Sequence, residues 1–466
     1  MYSRQFTVKP EYDVIVIGGG NAGLCAALSA RERGSRVLLL ERAPQWMRAG
    51  NTRHTRNIRC VNSDPRNKYG SDEFFDDLLS VTGSCVNPKL TKFAVEQSKD
   101  LPQWMSHHGV HWQPALAGTL HLSRTNRWFL GGGKALANTY YDKLLQMGVE
   151  VRYDACVTDL HIENDRIEAV VVRESDTEQV IRGRAVVVSA GGFEANLSWL
   201  KEYWEEAADN FCVRGTPYND GAILRILLSK NAMQVGDPKS FHGVAIDARA
   251  PKYDGGIVTR LDAIPFGIVV NRCGKRFHDE GEEIWPKRYA SWGRFIAEQP
   301  GQIAYCLLDS KTITCFLPPM YPPLVASSLE ELIRQLDVDG HVLADTIRQY
   351  NCGTQHNVQF KPSEKDGVQS RGIDPPKSNW ALPLDKPPYY ALPLRTGITF
   401  TYMGVAVDGI TRVIDRNGRP FQNLYAAGEI MAGNILDRGY LAGFGLTIGS
   451  VFGRLAGSVA AKHAAN

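Results

Sequence analysis

Apolar residues in this chain gather into short continuous runs, and most of the runs end in glycine. Val14 to Ile17 is followed at once by Gly18, Gly19 and Gly20, then by a stretch that reads as a helix; the next run, Val37 to Leu40, stops at Glu41. Uninterrupted runs of this length, closed by turn residues, predict strands buried on both faces, as in a parallel sheet covered by helices. Further on, Gly131 to Val172 predicts a helix ended by Gly148, a strand begun by Val149 to Arg152, and a hairpin whose last strand is apolar. Val186 to Ala190, with Gly191 and Gly192 behind it, and Asn423 to Ala427, with Gly428 and Glu429 behind it, repeat the strand-and-glycine pattern. Gly443 to Lys462 predicts a long helix with a glycine-rich start. Between about residues 236 and 386 the pattern changes: Pro and Gly are frequent, and strands such as Gly267 to Asn271 and Ala304 to Asp309 stand alone. The Pro-dense stretch Pro375 to Pro393 predicts a return linker.

The glycines after the first strand have the spacing GxGxxG, at Gly18, Gly20 and Gly23. In that pattern the first glycine permits a tight turn, the second lets backbone approach a pyrophosphate, and the third lets the helix pack on the strand. Asn21 and Ala22 open the helix, whose N-terminus favours anionic oxygens. Glu41, about 20 residues on, is placed to accept ribose hydroxyls, with Arg42 beside it. A single fingerprint near the N-terminus, with nucleotide-type turns far away at Ala190 to Gly192, Gly428 to Glu429, and Gly443, Gly445 and Leu446, argues for FAD, whose extended form needs distant contacts. No second GxGxxG is present, so a separate nicotinamide domain is not expected. The chain of 466 residues exceeds what one core usually supports. The fold class expected is therefore α/β: a Rossmann-like FAD-binding domain in two pieces, residues 1–235 and 387–466, with an inserted α+β capping domain at 236–386.

Composition excludes more than it selects. Hydrophobic residues make up 43% and charged residues 22%, as in an ordinary globular protein. A net charge of +3 gives no reason to invoke nucleic acid. Nine cysteines without CxxC spacing fit reduced thiols better than a disulfide framework or a metal site. The N-terminus lacks a signal-peptide core, and no stretch looks long and apolar enough to span a bilayer, so a cytoplasmic protein is expected.

Almost the full length resembles the flavoprotein family of fumarate reductase, succinate dehydrogenase and ketosteroid dehydrogenase. The residues that carry the resemblance are the fingerprint, GNT at Gly50 to Thr52, GGGKALANTYYDKL, SAGGFEAN, NDG at Asn219 to Gly221, VVNRCGKRFHDEG, LYAAGE and FGRLAG. Within it, GNTRHTRNIRC at Gly50 to Cys60 and ARAPKYDGGIVTRLD at Ala248 to Asp262 are similar to tricarballylate dehydrogenases, which oxidise a tricarboxylate to cis-aconitate. The resemblance implies a small polycarboxylate substrate. It also implies a separate membrane iron–sulfur protein as electron acceptor, through which the chain would associate with a membrane.

The resemblance further implies particular site residues. Asn51, Thr52, Val157 and Asp220 join the cofactor contacts. Asn51 stands where some relatives carry a histidine bonded covalently to FAD, so non-covalent FAD is expected. Arg288 in WPKRYAS is the implied proton shuttle, with Lys287 and Arg56 next; the alternative for Arg288 is a solvated charge pair. His242 is the implied contact to a substrate carboxylate, or else a histidine satisfied within the cap. Phe400 occupies the place of a second substrate histidine, leaving Thr399, Thr401 or Tyr402 to supply hydrogen bonds. Arg438 is the implied late arginine for carboxylate binding, the alternative being a structural salt bridge, and Tyr440 stands where ketosteroid-type relatives carry a tyrosine. Arg53, Arg56 and Arg59 lie within seven residues and are suited to phosphates or a polycarboxylate.

Overall fold

The computed structural model describes residues 11–83, 87–114, 124–355 and 358–466. β1 (Tyr12–Ile17), α1 (Asn21–Glu32) and β2 (Val37–Leu40) form the expected opening unit. β1 lies in the middle of a six-stranded sheet, with β2 and then Glu150–Arg152 on one side and Gly183–Val188, Pro420–Ala426 and Arg412–Ile414 on the other. All neighbours pair in parallel except the last two strands, whose hairpin makes an antiparallel edge. Val14 sits level with Val37 and with Ala185, so the apolar runs lie side by side in the core. This is the order of a doubly wound sheet, in which ligands bind beyond the carboxyl ends of the strands where the connections diverge.

α1 crosses the sheet very closely. A Cβ at Gly23 would stand 1.9 Å from the carbonyl oxygen of Gly18, so only glycine lets the helix sit there. The C-terminal helix, Phe444–Ala465, packs against α1 in the same way: Cβ atoms at Gly453 and Gly457 would come within 2.3 Å of Ala22 O and 2.0 Å of Ala26 O. Its hydropathy corrects one expectation. By length and composition, with a mean hydropathy of 1.3, it is apolar enough to cross a bilayer, yet 72% of the apolar window is buried inside the molecule. Small residues at every fourth position explain its apolar character as that of a core helix.

The second sheet is built on Tyr389–Thr401, flanked by Cys212–Val213 and Ile303–Asp309, with Ile268–Asn271 beyond the latter and Phe241–Asp247 and Leu324–Ala326 also pairing with the long strand. The isolated strands expected near 267–271 and 304–309 are thus neighbours in it. Two expectations change. The Pro-dense stretch is not all linker, because Tyr389 to Pro393 begin the central strand. Pro393 is tolerated there since its carbonyl still accepts from Ala248 N at 2.9 Å, while it has no N–H to leave unpaired. The second sheet therefore draws on residues outside 236–386, at 212–213 and 389–401. The short helix Trp292–Ala297 lies against this sheet so closely that a Cβ at Gly293 would be 2.2 Å from the backbone of Gly243.

Candidate active site

A cleft of about 1620 Å³, part of it open to solvent, runs from the N-terminus of α1 to the face of the second sheet. Of the expected cofactor residues, Gly18, Gly20, Asn21, Ala22, Glu41, Arg42, Asn51, Thr52, Val157, Ala190, Gly191, Asp220, Gly428, Glu429, Gly443, Gly445 and Leu446 line it. The cradle suits a dinucleotide. Gly18 has φ +99°, which turns the chain out of β1, and a Cβ at Gly20 would meet Thr52 Oγ1 at 3.7 Å and Ala49 O at 3.9 Å, both ordinary contacts, so that it would project into the space a phosphate needs. Thr52 Oγ1 accepts from Asn21 N at 2.9 Å and so ties the Gly50–Thr52 loop to the helix start. Glu41 is held by Ala43 N (2.9 Å), Ala49 N (3.3 Å) and the Tyr141 hydroxyl (3.4 Å), and its burial raises its pKa. Arg42 pairs with Asp220 across the cleft. Gly23 and Gly192 do not line it; they permit close packing beneath it, and a Cβ at Gly192 would strike Thr401 Oγ1 at 2.0 Å.

At the cleft lies a carboxyl pair, Glu429 among the expected cofactor residues and Glu194 with no role assigned from sequence. Glu194 is fully buried, accepts from Asn51 Nδ2 (2.5 Å) and Asn219 Nδ2 (2.8 Å), and its other oxygen meets no N–H donor among the described residues. Burial, then the charge of Glu194, raises Glu429 well above the carboxylate range. Glu429 is thus the protonated member, and a proton between the two satisfies the oxygen of Glu194. Glu429 also accepts from Thr401 N at 2.8 Å.

The far end of the cleft gathers cations. Arg56, Arg214 and Arg260 line it together with His242, Tyr289, Thr399, Phe400 and Tyr440. Arg260 pairs with Asp262 at 2.6 Å, but among the described residues no carboxylate lies within ion-pair distance of Arg56 or Arg214. Arg214, 3% exposed, donates to Gly256 O (3.1 Å) and Thr399 Oγ1 (2.9 Å); Arg56 stands 5.2 Å over the Trp128 ring. Burial, followed by the field of Arg260, pushes Arg56 down to about 10 and Arg214 to about 9. His242 is 7% exposed, stacks on Tyr440 at 4.0 Å, and is held neutral by burial and by Arg214 and Arg260. Its Nε2 has no hydrogen-bond partner among the described residues. It pairs across the strands with Phe400, so the phenyl ring and the imidazole share one wall of the cleft.

Several expected residues lie elsewhere. Arg288 does not line the cleft; its guanidinium pairs with Glu282, which also holds His278 at 2.8 Å, so it is the charge pair of the alternative reading. Lys287 pairs with Asp77 at 2.7 Å. Arg438 has a side chain 67% exposed beside Gly83, because the turn at Gly439 (φ +65°) sends Tyr440 inward and Arg438 outward. Of the three arginines in the basic loop only Arg56 lines the cleft, with His54 beside it: Arg53 donates to Trp46 O, and Arg59 is 3% exposed and pairs with Asp77 at 3.0 Å. Thr401 and Tyr402 are buried behind the lining, Tyr402 donating to Gly439 O, while Thr399 does face the cleft. Sequence reasoning singled out neither Arg214, just before the NDG segment, nor Arg260, inside the quoted GGIVTRLD, nor Tyr289, next to Arg288.

A sequence profile of the FAD binding domain family matches residues 13–443. A probable fumarate reductase of Shewanella frigidimarina (Ifc3) is 26% identical over 470 residues, covering 97% of this chain and 75% of that protein. An NADH:fumarate oxidoreductase of Klebsiella pneumoniae is 24% identical over 472 residues, covering 97% of this chain; the chain spans about half of that relative, 48% of its length. Among solved structures, the open conformation of a flavocytochrome c3 fumarate reductase superposes with a TM-score of 0.75 at 22% identity, over 98% of this chain and 79% of that one, a likeness of fold. With a family match over nearly the whole sequence and a glycine-lined cradle to receive the cofactor, the chain belongs to the FAD binding domain family and is an FAD-dependent oxidoreductase.

Proposed function

We propose that the protein dehydrogenates a small polycarboxylate, with tricarballylate oxidised to cis-aconitate as the specific reaction. The observation that carries this reading is the pair of guanidiniums at the far end of the cleft, the buried Arg214 and the half-buried Arg56, with no carboxylate in ion-pair distance among the described residues. Burying a cation without compensation costs several kcal/mol, so such a pair favours an incoming anion. Planar guanidiniums take carboxylates in bidentate fashion. His242 Nε2 adds a polar contact in the same wall. Arg56, Arg214 and Arg260 would hold the carboxylates and stabilise enolate-like charge next to the carbon that loses a proton. FAD, when bound, supplies the acceptor for a hydride. The cofactor is held without a covalent bond in this reading, since His54, the histidine in the loop over the cleft, turns its Nε2 to Asp254. A separate iron–sulfur protein as electron acceptor rests on the family resemblance.

Incubation of the purified protein with tricarballylate and an artificial electron acceptor should yield cis-aconitate. No product from tricarballylate, alongside turnover of citrate-like or dicarboxylic acids, would remove the substrate assignment and leave the class. A second reading, a reductase or desaturase of another carboxylate or an enone, is favoured by the aromatic lining of Phe400, Tyr289 and Tyr440. A panel of acids and enones monitored by flavin bleaching separates the two.

A further inference from the structure

The geometry points to Tyr289 as the catalytic residue that takes the α-proton in oxidation and returns it in reduction, a role resting on the functional reading above. Tyr289 lies on the capping side of the cleft, in the turn between the short helices Trp285–Arg288 and Trp292–Ala297. It is 5% exposed, so its phenol sits inside the protein and borders the cleft. The Arg260 guanidinium is 5.0 Å from its ring centre, and the edge of His242 meets it at 5.7 Å and 84°.

The groups that face Tyr289 are Arg260, Arg214 and Arg56, then Asp262, with His242, Tyr440 and Tyr402 on the sheet side. Burial raises the phenol pKa, and the three guanidiniums pull it down. A phenol in that setting holds its proton until water takes it, and the phenolate then left is met by cations. The arginines that bind the substrate's carboxylates thus also border the group that receives its proton.

Tyr402 and Tyr440 on the same wall are anchored to the backbone, and Arg288 is turned away. Tyr402 gives its proton to Gly439 O. The Tyr440 oxygen accepts from Gly445 N at 2.7 Å. Arg288, one residue from Tyr289, is turned to Glu282. In oxidation Tyr289 acts as its phenolate, formed when the phenol gives its proton to water: the Cα–H electron pair becomes the new C=C bond, the phenolate oxygen takes the α-proton, and the β-hydrogen would leave with its electron pair to bound FAD. The neutral phenol so formed gives its proton to water before the next oxidation, and reduction reverses each step.

The test uses FAD-loaded Tyr289→Phe, Arg288→Ala and Tyr440→Phe proteins. Anaerobic flavin bleaching by tricarballylate should slow about 10²- to 10⁴-fold in Tyr289→Phe, while citrate binds within about threefold of wild type because the arginines remain. Arg288→Ala should bleach within about threefold of wild type. A Tyr289→Phe rate near wild type, or a collapse confined to Arg288→Ala or Tyr440→Phe, overturns the assignment. An ultraviolet titration of wild type minus Tyr289→Phe, which needs no turnover, should show the phenolate signal moving to higher pH when citrate neutralises the arginines. No movement with citrate bound also overturns it. If no polycarboxylate bleaches the wild type, the functional reading falls, and Tyr289 is judged by the titration and by whichever other acid or enone reacts.

Discussion

At the scale of single residues, the site is decided by which charges lack partners. The sequence holds 53 basic residues, and most of those near the cleft are neutralised at once: Arg59 and Lys287 by Asp77, Arg288 by Glu282, Arg42 by Asp220. Arg214 is the exception with the least exposure. Arg214→Met should leave the ligand-free protein as stable as wild type or up to about 2 kcal/mol more stable, while weakening citrate binding by about 30-fold or more. Chemical denaturation and a citrate titration check both, and undiminished citrate affinity would remove Arg214 from the anion site. Glu429 gives a pH-dependent test. Its folded pKa is raised, so the protonated form is favoured by folding, and its cost grows as pH rises above the unfolded carboxylate value of about 4.3. Glu429→Gln should therefore gain stability relative to wild type between about pH 5 and pH 8. Parallel stability curves for the two proteins would mean that Glu429 is not held protonated.

At the scale of elements, strand identities were legible because continuous apolar runs have few other solutions, and the glycines that end them mark the turns. Boundaries and facing directions were not. Arg288 and Tyr289 are neighbours in the motif WPKRYAS, and a single step in a helical turn swings a side chain by about 100°, enough to exchange an exposed charge pair for a cleft wall. The first residues of the strand Tyr389–Thr401 read as linker because they close the Pro-dense stretch Pro375 to Pro393. The packing of the last helix on α1 makes a separate prediction. Gly457→Ala should destabilise by about 1–3 kcal/mol, because its Cβ would meet Ala26 O at 2.0 Å. Gly409→Ala, where no atom lies within 4 Å, should change stability by less than about 0.5 kcal/mol. Equal thermal midpoints for the two variants would show that the helices are not in close contact.

At the scale of the whole molecule, the two sheets meet at the cleft, and FAD should bind both to the glycine cradle and near the cation end. Saturating FAD at about 100 times its dissociation constant should then stabilise the protein by about 2.7 kcal/mol. Acid precipitation should leave the pellet colourless and the supernatant yellow; a yellow pellet would mean a covalent bond. The sequence by itself determined the nucleotide fold and its cofactor, because GxGxxG after a buried strand places backbone N–H groups by local geometry alone. It also indicated a need for several cations. Which arginines meet that need was decided only by the tertiary structure. Arg56, Arg214 and Arg260 lie more than 200 residues apart along the chain from first to last, and only the packing of the second sheet on the first brings them to one wall. The same packing pairs off the nearer basic residues with carboxylates, and no pattern in the sequence records that choice.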